Sequence, residues 1–121
     1  MYEIIFYHDK NGKSELLEFI KYLDKKAHTN KHERIMLKQI RLYLNILERL
    51  GTRAGNNFVK HIQDDLWEIR PGINRIFFFL WYKNRIVLLH QFRKNTRKTP
   101  KKEIIKALKE MDDWKGRNHN E

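Results

Sequence analysis

The 121-residue chain contains no cysteine. Disulfide staples, a thiol nucleophile and cysteine-based metal sites are therefore excluded, which is compatible with a reducing cytoplasm. No apolar run approaches the ~20 residues that a membrane span needs, and the opening Met1-Tyr2-Glu3-Ile4-Ile5-Phe6-Tyr7 is too short and too acidic for a signal peptide. The expected location is thus cytoplasmic, with no membrane partner. Glycine and proline are scarce, at five and two residues, and no glycine-rich phosphate loop, G-x-S-x-G or H-E-x-x-H is present. These absences remove the commonest enzyme motifs, and no bound metal or cofactor is expected. Acidic residues are also few: 15 Asp and Glu stand against 26 Lys and Arg, a formal charge of +11.

That imbalance creates a field strong enough to attract polyanions at long range, with nucleic acid the leading partner class. The cations are unevenly spread. Arg93-Lys94-Asn95-Thr96-Arg97-Lys98-Thr99-Pro100-Lys101-Lys102 packs six of them and no acid into ten residues. A proline-led helix start offers free backbone N–H groups and the positive end of the macrodipole, where anions bind readily. Lysines in that first turn cost the helix about 0.3–1 kcal/mol each when exposed. A phosphate backbone is a partner that would reward them.

The hydrophobic pattern predicts a single α+β domain over residues 1–121, in the order β-α-α-β-β-β-β-α. Tyr2 to His8 reads as a strand stopped by Asp9-Lys10-Asn11-Gly12. From Ser14, an N-cap, Leu16, Ile20, Leu23 and Ala27 fall on one helical face. A second helix follows Asn30, with Glu33 in a capping arrangement, and carries Met36, Ile40, Tyr43, Leu47 and Leu50 until Gly51 ends it. Strands are then expected at Phe58 to Ile62, Leu66 to Arg70, Arg75 to Tyr82 and Arg85 to Phe92, the last two joined by a two-residue Lys83-Asn84 loop. A final helix runs from Pro100 to Lys115 with Ile104, Leu108 and Met111 inward, and Gly116 to Glu121 forms a frayed tail.

Strand alternation sorts the charged residues onto faces. Glu68 and Arg70 point one way while Trp67 and Ile69 point the other. Arg75 shares a face with Phe77, Phe79 and Trp81, and Arg93 one with Gln91, Leu89 and Val87. If those strands are neighbours, three arginines and a glutamate converge near one rim. Arginine suits a phosphate, being planar, permanently charged and able to donate two parallel hydrogen bonds. Glu68 in such a cluster serves as a general base or as a salt-bridge partner, and the residues alone leave both open. Among the six histidines, His28, His32 and His119 fall in polar helix ends or the tail, and His8 is ambiguous. His61 and His90 are better placed, but His90 alternates with Leu88 and Phe92 and reads as a hydrogen-bonded core histidine. The aromatic block Phe77-Phe78-Phe79-Leu80-Trp81-Tyr82 has rings on both faces and reads as core rather than a base-stacking platform.

Leu66-Trp67-Glu68-Ile69-Arg70-Pro71-Gly72, followed by Asn74-Arg75-Ile76-Phe77-Phe78 and then Leu89-His90-Gln91-Phe92-Arg93-Lys94, Thr96, Lys98-Thr99-Pro100 and Glu103-Ile104, resembles the RelE/ParE superfamily of bacterial toxins. The likeness is to its HigB branch, which includes phage-derived toxin-like proteins. It implies a small antiparallel β-sheet packed by an N-terminal helical hairpin and a C-terminal helix. It further implies a toxin of a type II toxin-antitoxin system: a ribosome-dependent, metal-independent endoribonuclease that cuts translated mRNA and inhibits translation. The implied partners are the ribosome, mRNA and a cognate HigA-type helix-turn-helix antitoxin, with operator DNA reached only through that antitoxin.

Carried over by position, the resemblance makes Arg75, Arg93 and Arg70 phosphate and transition-state contacts. Lys60, His61, Lys94, Lys98 and Lys101 become RNA-binding. Glu68 stands where RelE-type members have a lysine, so the base falls to Glu68, to Lys60 or His61 on the preceding strand, or is shared with the ribosome. Two rival readings share these residues: a ParE-like toxin that poisons DNA gyrase, and a basic nucleic-acid-binding module without catalysis.

Overall fold

A computed structural model of the chain describes residues 1–118. A five-stranded sheet lies between two helical layers. Its strands are β1 (Glu3–Phe6), β2 (Val59–Gln63), β3 (Leu66–Ile69), β4 (Asn74–Trp81) and β5 (Arg85–Arg93), in the spatial order β1-β5-β4-β3-β2. Strands β2 to β5 form an antiparallel meander, as their short connections require, while β1 joins the far edge parallel to β5. The helices are α1 (Glu15–Lys26), α2 (Lys31–Leu50) and α3 (Lys101–Arg117). No helix among the described residues is long and apolar enough to cross a membrane.

Local chemistry sets the helix ends. Ser14 Oγ accepts from Leu17 N at the start of α1, and Asn30 Oδ1 accepts from His32 N and Glu33 N at the start of α2. The Glu33 side chain does not return the bond, because Asn30 N donates instead to Lys26 O. Gly51 ends α2 at φ 57°, in the left-handed region that favours glycine.

Helices α1 and α2 form a hairpin that buries Leu16, Leu23, Met36, Ile40 and Leu47 against Ile69, Ile76, Phe78, Ile86 and Leu88 on one sheet face. Helix α3 covers the other face, where Ala107 and Met111 meet Phe77, Phe79, Val87, Leu89 and Phe92. Phe77, Phe78 and Phe79 are completely buried, so this half of the aromatic block is core on both faces as expected, whereas Leu80 and Tyr82 are exposed and Trp81 is half-buried. Each such ring contributes roughly 1.5–3 kcal/mol through removal from water.

Three departures from the sequence pattern matter. The β4–β5 loop has three residues rather than two, because Trp81 pairs with Arg85 and Tyr82 takes φ 57°. Helix α3 extends through Gly116 to Arg117, into the stretch expected to fray; His119 and the rest of the tail lie outside the described residues. Most consequential is a β-bulge in β5. Ile76 pairs with Gln91 and Phe78 with Leu88, so Leu89 and His90 together oppose Phe77. The extra residue reverses the alternation beyond it. His90 and Phe92 turn to the α3 side, and Gln91 and Arg93 turn to the hairpin side. The expectation that Arg93 shares a face with Leu89 and Val87 is thereby corrected.

Candidate active site

Glu68 lies in the middle of β3, directly opposite Phe77 on β4 and Lys60 on β2. Its side chain is on the α3 face of the sheet, beyond the end of that helix, at the floor of a cleft. Lys60, Arg70, Arg75, Phe92, Lys94, Thr96, Arg97, Lys98 and Thr99 complete the lining. The sheet supplies floor and one wall; the basic segment between β5 and α3 supplies the other. That segment is fastened at both ends. Lys94 N donates to Ile73 O at 2.7 Å, and the Thr99 hydroxyl donates to Glu68 Oε1 at 3.1 Å.

The glutamate is 2% exposed and ringed by cations. Its Oε2 lies 3.8 Å from Arg75 Nε and 4.0 Å from Arg70 Nε. Burial pushes the Glu68 carboxyl above the usual carboxylate range, against the Thr99 hydrogen bond and the charges of Arg75, Lys60 and Arg70. Burial also pulls the Arg75 guanidinium below its ordinary value, with Arg70 adding to the pull and Glu68 opposing it. Both members of this pair are therefore held at a desolvation cost, which makes the pair a candidate functional site.

Arg75 is pinned: Nη1 donates to Gly72 O and to Asn74 O, both at 2.8 Å. The first of these carbonyls belongs to the Pro71-Gly72 turn, where Gly72 takes φ 62°. Arg70 is less committed. Its Nε is buried and makes no hydrogen bond among the described residues, leaving a donor directed at the Glu68 carboxylate without reaching it.

The structure thus brings together Glu68, Arg70, Arg75, Lys60, Lys94 and Lys98. Arg93 is not among them, because the bulge has turned it to the opposite face. His61 is also apart. It pairs with Trp67, meets that ring at a tilt with centroids 5.0 Å apart, and engages Asp64 O through Nε2, on the face away from Lys60. Lys101 opens α3, exposed and outside the cleft lining. His90 is a buried core histidine held by Glu103 and Glu110. Sequence reasoning placed Arg97 only within the basic run that meets phosphate and singled out no role for Phe92 or Thr99. Thr99 carried one usable signal: it precedes Pro100, which holds it extended and ends the cationic run.

A buried carboxylate in a cationic cleft, with a basic segment tethered over it, can accept a proton and stabilise an anion at the same place. The family model described as Phage derived protein Gp49-like (DUF891) matches residues 18–112. The chain belongs to this family. The matched stretch runs from α1 to near the end of α3 and includes every residue of the cleft. No curated protein matches the chain. Among solved structures, it is similar to a chain of the YoeB-YefM complex from Staphylococcus aureus, with 18% identity over 79% of this chain and 99% of that one, at a TM-score of 0.54. The heterotetrameric YoeB-YefM toxin-antitoxin complex from the same organism gives 17% identity over the same shares and the same TM-score. At this identity the likeness concerns the fold. The Gp49-like chain therefore has the small α+β architecture, helical hairpin, sheet and C-terminal helix, that its sequence led one to expect.

Proposed function

We propose that this Gp49-like protein is a toxin of a toxin-antitoxin pair and acts as a metal-independent endoribonuclease on mRNA in the ribosome. The observation that carries the reading is the Glu68 carboxylate, buried with its pKa raised by desolvation, within 4.0 Å of two guanidinium groups in a cleft lined by four further cations. The likeness in fold to YoeB-YefM toxin-antitoxin structures supports it.

In this reading Glu68 takes the proton from a ribose 2′-hydroxyl, and the 2′-oxygen attacks the adjacent phosphorus. The bond from phosphorus to the 5′-oxygen breaks, and that oxygen takes a proton from solvent. The products are a 2′,3′-cyclic phosphate and a 5′-hydroxyl end, with no redox change and no water consumed. Arg75, whose plane is fixed by two carbonyls, and Arg70, with its unused Nε, donate to the crowded phosphorane oxygens. Preorganised donors of this kind contribute about 10²–10³ in rate each. Lys94, Arg97 and Lys98 position the strand through phosphates, and Lys60 adds field at the base. The ribosome presents the mRNA, the location is the cytoplasm, and a cognate antitoxin, of the helix-turn-helix HigA type, silences the protein through its excess positive charge.

Controlled expression followed by primer-extension mapping of mRNA ends tests this. New codon-phased ends are expected with the wild-type chain, none with Glu68→Gln and strongly reduced ends with Arg75→Lys. Arrested growth with intact mRNA and blocked supercoiling would instead make the protein a gyrase poison. Harmless expression with salt-sensitive RNA binding would reduce it to a binding module.

A further inference from the structure

The Glu68 carboxylate is held from two sides. Oε2 faces Arg75 and Arg70, while Oε1 accepts the Thr99 hydroxyl at 3.1 Å, across 31 residues of sequence. The terminal torsion of a glutamate is soft, so cations alone leave the carboxylate plane free to rotate about its last bond. A donor of fixed direction on the other oxygen removes that freedom. Thr99 is suited to the task because its own backbone is constrained. It precedes Pro100, which restricts it to extended conformations, and Pro100 leads directly into α3. Helix α3 is in turn fastened to β5 by Glu103 and Glu110 on His90. The hydroxyl therefore reaches Glu68 from a rigid support, whereas Lys94 to Lys98, exposed throughout, belong to the segment that meets RNA.

From this geometry we infer that Thr99 is a positioning residue for the reaction: its hydroxyl orients the Glu68 carboxylate for proton abstraction and ties that orientation to the seating of the basic segment. The inference rests on the assignment of Glu68 as base. It goes further by giving the basic segment a part in catalysis besides affinity. Oε1 is engaged by Thr99, so Oε2, the oxygen beside the two arginines, receives the 2′-hydroxyl proton. The nucleophile is then delivered at the point where the arginines meet the phosphate. The hydroxyl also favours the ionised carboxylate, since it can donate to Glu68 but a carboxylic acid would compete as a donor itself.

The test is single-turnover cleavage of a defined mRNA on programmed ribosomes, with the intact protein, across pH 5.5 to 9. Thr99→Val, isosteric but lacking the donor, is expected to cleave about ten- to a hundredfold more slowly, as misplacement of a reacting group does. The acid limb of its pH–rate profile should move to higher pH, because the carboxyl keeps its proton longer. Thr99→Ser should restore both rate and profile. Salt-dependent RNA binding should remain at the wild-type level in both. A wild-type profile for Thr99→Val, or a serine variant no better than valine, would overturn the inference while leaving Glu68 as base. Full cleavage by Glu68→Gln in the same assay would overturn the base assignment itself. Thr99→Ala gives the same readout should the valine variant fail to fold.

Discussion

Removing the His90 imidazole should weaken the attachment of α3 by about 3 kcal/mol, in a manner that depends on pH with a defined sign. The ring is 1% exposed and bonds Glu110 Oε1 through Nδ1 at 2.6 Å and Glu103 Oε1 through Nε2 at 2.9 Å. Two carboxylates can both be satisfied only if both ring nitrogens donate, which is the imidazolium form. Burial pulls the His90 pKa down, but the hydrogen bond and charge of Glu110 and the bond to Glu103 outweigh it, with Lys106 opposing them, and the net direction is up. Hydrogen bonds to charged groups contribute about 1.5–3 kcal/mol each. The Glu110 and Glu103 side chains are 12% and 22% exposed, so water would partly replace the lost donor. The lower end applies to each bond, giving about 3 kcal/mol for His90→Ala and about half for His90→Gln, which keeps one donor. For a chain of this size that is a drop of about 10 °C in Tm for the alanine variant. The folded pKa lies above the unfolded value of about 6.5, so this stabilisation is complete below that pH and is lost as pH rises through the folded value. Urea denaturation from pH 5.5 to 9 reads it directly. The wild-type curve should fall with rising pH and approach that of His90→Gln. Parallel curves throughout the window would refute the clamp.

Three other outcomes follow from the geometry. Arg75→Lys keeps the charge but loses the planar fork that bonds Gly72 O and Asn74 O, so cleavage should fall by about 10²–10³ while a folded protein persists by circular dichroism. Gly51→Ala should destabilise the fold by at least about 1–3 kcal/mol in thermal melts, because φ is 57° and the added Cβ would sit 2.6 Å from the Tyr2 ring. Replacing Lys94, Arg97 and Lys98 together with alanine should flatten the salt dependence of RNA binding. Each single-strand phosphate contact contributes a slope of about −0.7, so the log–log slope should lose about two units when anisotropy is followed over 50–300 mM salt. An unchanged slope would remove the segment from the RNA interface.

How much of this was legible in the sequence differs between fold and site, for a physical reason. Helices α1, α2 and α3 announce themselves because their apolar positions repeat within the element, and Ser14, Asn30 and Gly51 mark ends through bonds to residues two to four positions away. The parallel pairing of β1 with β5 is decided about eighty residues apart and leaves no local trace. The cleft falls between these cases. Simple alternation put Glu68 with Arg70 and Arg75 with Phe77, and pairing of the two strands brings the three to one rim, which holds because β3 and the start of β4 are regular. Arg93 was placed by the same rule and missed, since one extra residue in β5 inverts everything beyond it. That inversion has a use: it brings Phe92 under the cleft and His90 onto α3, the two contacts that seat the basic segment and its helix. A regular β5 would have aimed Arg93 at the cleft and His90 at the hairpin core, where no carboxylate meets it. The bulge therefore exchanges Arg93 for a fixed support behind Thr99. Overall basicity draws a polyanion to every such cation alike; strand register decides which of them can touch the reacting atoms.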